Sequence, residues 1–209
     1  METMGAGKPV PAAVGRPLKV GLHLPETERI APWRDLAAMC RLAEDVGFDS
    51  IWVPDHLLYR FEGQEPNAPW EGWSILSAVA AVTTRVEIGP LVLCANFRNP
   101  ALIAKMADAV DEISGGRLIL GLGAGWHEPE YRAFGFPFAQ RFGRFAEAFT
   151  IIRTLLGEGR IDFEGSYFTL RDCELRPRGP RPGGPPLMIG SRGEHVLRAT
   201  LPHVRFWTT

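Results

Sequence analysis

The stretch that most constrains this chain is Leu118-Ile119-Leu120-Gly121-Leu122-Gly123-Ala124-Gly125. A short apolar run bounded by turn residues, here Ser114-Gly115-Gly116-Arg117 on the upstream side, is the pattern of a strand covered on both faces. Gly121, Gly123 and Gly125 allow the backbone to bend and to approach a ligand closely, because no Cβ stands in the way. A tight turn is the plainer alternative. The spacing is not the dinucleotide fingerprint, which needs a glycine three residues after the second. The flanks set the fold class. Upstream, Asn99–Ile113 reads as a helix with Pro100 in its first turn and Leu102, Met106, Ala109, Val110 and Ile113 at helical spacing. Downstream, Trp126–Gly135 reads as a polar-aromatic loop leading to a further helix. Helix, buried strand, loop, helix is the alternation of a parallel α/β fold.

The same rhythm runs through the rest of the sequence. Leu18–Leu24 reads as the first strand, Pro32–Val46 as a helix with Leu36, Met39, Leu42, Ala43 and Val46 inward, and Phe48–Val53 as the second strand. Trp73–Val82 is helical. Val86–Leu93 is a third strand interrupted by Gly89-Pro90, where a proline inside a buried parallel strand calls for a bulge. Arg141–Leu156 is an amphipathic helix with Phe145, Ala148, Phe149, Ile152 and Leu156 on its apolar face. Residues 157–186 then break the rhythm with Arg160–Phe163 and Tyr167–Leu170, a hairpin pattern, and a Pro/Arg/Gly-rich connector. Leu187–Gly190, a loop, a helix over Glu194–Thr200 and a last strand near Val204–Thr209 complete about six strands. The first five are each followed by a helix.

Composition excludes several classes. The chain has 209 residues, 45% of them apolar and 22% charged, with a formal net charge of −1. Those values fit an ordinary globular domain, and the scattered basic residues give no nucleic-acid signature. Cys40, Cys94 and Cys173 have neither disulfide parity nor metal spacing, so no metal is expected and a reducing cytoplasm fits best. No segment approaches the roughly 20 apolar residues of a membrane span. Residues 1–17, rich in Gly, Pro and Ala, read as a disordered leader before a domain over 18–209.

Five motifs in order resemble the bacterial luciferase-like superfamily of flavin and deazaflavin oxidoreductases. They are Gly47–His56, Arg85–Gly89, Phe97–Lys105, Ile113–Arg117 running into Gly123–Trp126, and Phe163–Gly165 with Tyr167-Phe168. The resemblance implies a TIM-type (β/α) barrel with a hairpin insertion between the fourth helix and the fifth strand. An eight-fold barrel takes about 250 residues, so the chain is expected to stop two or more βα units early. Active sites of such barrels lie at the C-terminal ends of the strands.

The resemblance places candidate residues there. His56, beside Asp55, is the expected proton donor, since histidine alone has an unperturbed pKa near neutrality; a capped turn with an ordinary loop histidine is the competing reading. The Leu91–Val92 bond matches a position often occupied by a non-prolyl cis peptide, with a trans bulge at Pro90 as the alternative. Asn96 is expected to hydrogen-bond a cofactor ring, with a simple loop-turn role as the alternative. Gly123 and Gly125 lie at the fourth strand's end, and Gly190-Ser191-Arg192-Gly193 suits a cofactor phosphate, with a plain βα turn as the competing reading. The sequence also departs from the pattern. No arginine sits in the Gly123-Ala124-Gly125 loop, and Trp126 stands where some deazaflavin enzymes carry a carboxylate; Glu128 and Glu130 are nearby acids.

These features predict an oxidoreductase that transfers hydride with coenzyme F-420 on a small organic substrate, as a homodimer. One alternative is an FMN-dependent monooxygenase served by a separate flavin reductase. The other is an inactive or partner-dependent open barrel, suggested by the abrupt end at Phe206–Thr209.

Overall fold

The computed structural model describes residues 18–26 and 28–209, and the leader expected over 1–17 lies outside the described residues. In chain order the elements are β1 (Gly21–His23), α1 (Trp33–Asp45), β2 (Ser50–Val53), α2 (Gly72–Val82), β3 (Glu87–Pro90), β4 (Leu93–Cys94), α3 (Pro100–Ser114), β5 (Leu120–Gly123), α4 (Glu128–Phe134), α5 (Arg141–Glu158), β6 (Arg160–Glu164), β7 (Thr169–Glu174), β8 (Leu187–Gly190), α6 (Glu194–Thr200) and β9 (Phe206–Thr208). One sheet pairs β1, β2 and β3 in parallel; another pairs β4, β5, β8 and β9 in parallel. A parallel bridge between Ile88 and Leu118 stitches them together. The parallel strands therefore follow one another in sequence order, the topology that right-handed βα crossovers generate. Among the described residues no pairing joins β1 to β9. The break between β3 and β4 is the expected bulge of the third strand, and Leu91–Val92 there is a cis peptide bond.

The expected hairpin insertion is present as β6 and β7, antiparallel with a register shift between Ile161 and Phe163. The stretch read as a polar-aromatic loop holds a helix instead, α4, whose buried residues are Glu130 and Tyr131. No helix among the described residues is long and apolar enough to cross a membrane.

Two helices bury a face rotated from the one expected, with Leu36 and Ala43 of α1 and Val110 of α3 inward as expected. In α1 the buried residues are Leu36, Ala37, Cys40 and Ala43, with Leu42 and Val46 exposed. In α3 Ile103, Ala104, Ala107 and Val110 turn inward, and Leu102 and Ile113 outward. Each helix carries two adjacent apolar stripes. The one richer in small side chains faces inward, because the sheet already supplies bulk through Ile51, Ile88, Leu118, Leu120 and Leu122. Close packing rewards the stripe that fits, not the larger one.

Polar side chains pin the non-strand ends. Asn99 caps α3 through Ala101 N and Leu102 N, with Pro100 following. The Arg117 guanidinium donates to the carbonyls of Ala80, Thr83, Val86 and Ser114 and to Thr83 Oγ1, at 2.6–2.9 Å. It closes the C-terminus of α2 against the entry to β5.

Glu71 caps α2, accepting from Trp73 N, Ser74 N and Ser74 Oγ, and pairs with Arg98. Burial alone pushes its carboxyl up, but the hydrogen bonds from Ser74 and Arg98 outweigh that and bring it down to about 2. A depressed folded-state pKa contributes stability that is full above the unfolded value and lost as pH falls through the folded one. Wild type is therefore expected to melt a few degrees above Glu71→Gln at pH 6–7. That gap should close between about pH 4.5 and 2. A gap unchanged down to pH 2 in thermal melts would rule this out.

Candidate active site

Because the strands are parallel, the loops after β2, β3, β5, β8 and β9 emerge on one side, where they surround a cleft of about 840 Å³. Asp55, His56, Leu91, Val92, Gly123, Gly125, Gly190, Ser191, Arg192 and Gly193 all line it. Asn96 does not. Its amide Nδ2 donates to the carbonyls of Ala124 (2.9 Å) and Arg141 (3.0 Å), tying the end of β5 to the start of α5, while its Oδ1 is buried without a hydrogen-bond partner among the described residues.

The floor is organised by Val92. A Cβ built on Gly190 would lie 2.6 Å from Val92 Cγ2, one on Gly123 2.8 Å from the same atom, and one on Gly121 3.1 Å from Val92 Cγ1. Gly190 and Gly123 thus make room for one isopropyl group, while a Cβ on Gly121 would first meet the Pro90 carbonyl oxygen at 2.3 Å. At Gly125 (φ +72°) the missing Cβ leaves space for Tyr131 Oη and Cys94 Sγ. The glycine run serves internal packing at these positions, and Gly123, Gly125 and Gly190 also line the cleft. Tyr131 Oη donates to the Ala124 carbonyl (2.5 Å) and lies 3.0 Å from Cys94 Sγ. Burial pushes the Cys94 thiol up to about 12, so this cleft cysteine is a packed thiol and not a nucleophile.

Asp55 is a clamp. Its enclosed carboxylate accepts from Cys94 N (2.8 Å) and from both terminal nitrogens of Arg98 (2.8 Å each), joining the end of β2 to the bulged strand. Burial lowers the Arg98 pKa, but the Asp55 and Glu71 carboxylates outweigh that and raise it. Three protein donors thus engage the Asp55 carboxylate.

His56 lies between two carboxylates from different loops. Its Nδ1 is 2.9 Å from Glu130 Oε1, and its Nε2 is 3.8 Å from Glu26 Oε1. The Tyr59 ring lies 4.4 Å from the imidazole, and Trp126 meets it edge-on at 5.7 Å. Glu130 is fully buried, with Oε2 accepting from Leu57 N (2.9 Å) and Leu58 N (3.4 Å). His127 stands behind Trp126, its Nε2 accepting from Arg60 N (3.1 Å), and burial lowers its pKa. Glu130 was only one of two nearby acids in the sequence. Reading 128–134 as a helix separates them, since Glu130 and Tyr131 then share the inner face and Glu128 points out.

Another wall of the cleft is basic. Arg192 has no side-chain partner among the described residues, and Ser191 Oγ accepts from Gly193 N (3.0 Å). α6 has seven residues and carries Glu194 in its first turn, so charge rather than a helix dipole dominates this loop. Arg141, at the first position of α5, reaches the same cleft with its guanidinium over the rings of Phe138 (3.9 Å) and Phe142 (4.2 Å). Its Nε is buried without a hydrogen-bond partner. The sequence offered only one cue to this residue, a basic side chain opening the helix after the β5 loop.

The profile of the luciferase-like monooxygenase family matches residues 17–209. The chain belongs to that family. It is 41% identical over 181 residues to the F-420-dependent glucose-6-phosphate dehydrogenase of Amycolatopsis mediterranei, covering 80% of this chain and 53% of the relative. It is 38% identical over 117 residues to pyrimidine monooxygenase RutA of Klebsiella pneumoniae, covering 54% and 32%. An F-420-dependent secondary alcohol dehydrogenase, solved with an F-420–acetone adduct, superposes with a TM-score of 0.70 at 27% identity, covering 83% of this chain and 52% of that one. The chain thus spans about half the length of the curated dehydrogenase and of that solved structure.

Proposed function

We propose that this chain forms the strand-end active site of an F-420-dependent oxidoreductase acting on a small hydroxylated organic substrate, in a (β/α) barrel with further βα units. The observation that carries the reading is the convergence of His56, the Leu91–Val92 floor and a basic wall on one 840 Å³ cleft. The residues fit the cofactor. Arg192 and the buried, unpartnered Nε of Arg141 give the wall two cationic groups suited to a phosphate or carboxylate, and the apolar floor suits a planar ring. When bound, the deazaflavin supplies the hydride chemistry. The protein's part is to hold the anionic tail with Ser191, Arg192 and Arg141, to present the floor, and to manage a substrate proton at His56. The glucose-6-phosphate and secondary alcohol dehydrogenases among the similar proteins support a hydroxyl-bearing substrate.

The similarity to a pyrimidine monooxygenase supports the second reading, an FMN monooxygenase with a separate reductase. Titration with coenzyme F-420 and with FMN, followed by fluorescence, separates the two. Tight binding of F-420 alone, followed by its reduction in the presence of a sugar phosphate or a small secondary alcohol, is the expected result. Preference for FMN would replace the proposal, and binding of neither would end it. A homodimer rests on the family resemblance and on the solvent-facing Leu102 and Ile113 of α3; sedimentation showing only monomer would remove it. The three cysteines are free, in keeping with a cytoplasmic location.

A further inference from the structure

We propose that Glu130 is the positioning residue of the site, holding His56 as the Nδ1–H tautomer so that Nε2 is left as a bare proton acceptor. An ionised carboxylate accepts hydrogen bonds and donates none. With Glu130 Oε1 2.9 Å from Nδ1, the imidazole has to present its proton there. The carboxylate cannot rotate away, because Oε2 is held by the Leu57 and Leu58 N–H groups, which belong to the same loop as His56. One buried side chain therefore fixes both the backbone that carries the histidine and the histidine's tautomer. On the other side, 3.8 Å between Nε2 and Glu26 Oε1 is too long for a hydrogen bond. Glu26 Oε1 is already engaged by Tyr59 Oη at 2.5 Å. Tyr59 and Trp126 restrain the ring plane, so Nε2 keeps its lone pair while its direction is set. The titratable groups around His56 are Glu26, Tyr59, Glu130 and His127.

The chemical consequence rests on the proposed function. A neutral His56 takes a proton from a substrate hydroxyl at Nε2, and its imidazolium form returns one in the reverse direction.

Glu130→Gln tests this with almost no change of shape. The amide has to turn its oxygen toward Leu57 and Leu58, since an NH₂ there would face two donors. The NH₂ then meets His56 Nδ1, which is forced to accept, and the ring proton moves to Nε2. Long-range ¹H–¹⁵N correlation spectra of ¹⁵N-histidine-labelled, cofactor-free chain read this directly, with His56→Gln providing the assignment. Wild type is expected to show His56 protonated at Nδ1, Glu130→Gln to show it protonated at Nε2, and Glu26→Gln to keep the wild-type pattern. In turnover, Glu130→Gln is expected to lose about 10²–10⁴-fold in kcat with KM within threefold, the size of effect that a histidine base in the wrong tautomer produces. A wild-type spectrum with the proton on Nε2, or a Glu130→Gln spectrum unchanged from wild type, overturns the proposal. The wild-type spectrum decides even if the variant does not fold. Because it is recorded without cofactor, an Nδ1–H signal beside a failed F-420 titration would sink the proposed function and leave the pairing standing.

Discussion

Exchange of His56 for alanine is expected to slow F-420 reduction about 10²–10⁴-fold, the range contributed by a positioned general acid or base, and to change F-420 affinity less than threefold. The two effects separate because the groups involved are carried by different segments around the cleft. His56 is on the wall built by the loops after β1, β2 and β5, against Glu26 and Glu130. Arg192, Ser191 and Arg141 stand on the wall built by the loop after β8 and the start of α5. Removing the imidazole leaves the second wall and the Leu91–Val92 floor intact. Arg192→Ala should do the converse, weakening F-420 binding about tenfold or more through loss of a charge-assisted contact with a smaller effect on the rate at saturation. Single-turnover rates beside fluorescence titrations check both. A His56→Ala rate within threefold of wild type would remove the histidine from the chemistry, and a parallel fall in affinity would make it a packing residue.

That separation of walls is where sequence and structure differ in what each reveals. Strand-end positions can be read from motif order, because a parallel strand has a direction and the residue after its last apolar position must sit at its C-terminal end. That logic brings together His56, Gly123 and Arg192 without any coordinates. It does not reveal which side chains face one another across the cleft. Glu130 reaches His56 from 74 residues away in sequence, and only the turn of α4 distinguishes it from Glu128. Arg141 likewise enters from the start of a helix whose apolar face was plain but whose approach angle was not. The faces of α1 and α3 are legible only in part, with Leu36, Ala43 and Val110 inward as expected, and for a different reason. In α1 and α3 the sequence holds more apolar residues than one buried stripe needs, and periodicity alone gives equal weight to Leu42 and Cys40. What selects the inner stripe is the volume left by the sheet, a tertiary quantity.

The glycines show the same distinction at the scale of single atoms, and their packing can be tested by a double-mutant cycle. Gly190→Ala is expected to cost about 1–3 kcal/mol, the usual range for overpacking, because its new Cβ would meet Val92 Cγ2 at 2.6 Å and Cγ1 at 3.0 Å. Both obstacles belong to one side chain. Val92→Ala removes them and leaves the Val92 Cβ at 3.4 Å, an ordinary contact, so the double variant should recover most of the loss, with a coupling of about 1–2 kcal/mol. Gly121→Ala should behave otherwise. Its Cβ would lie 2.3 Å from the Pro90 carbonyl oxygen, a backbone atom that Val92→Ala does not move. We expect a loss of about 3 kcal/mol or more with little recovery in the double variant, read from denaturant midpoints at unchanged m-value. If both glycine variants couple equally to Val92, the bulged strand yields as a unit and the backbone contact is not the constraint. If neither couples, the space beside Val92 can be filled without displacing it, and the glycines must be explained by what enters the cleft.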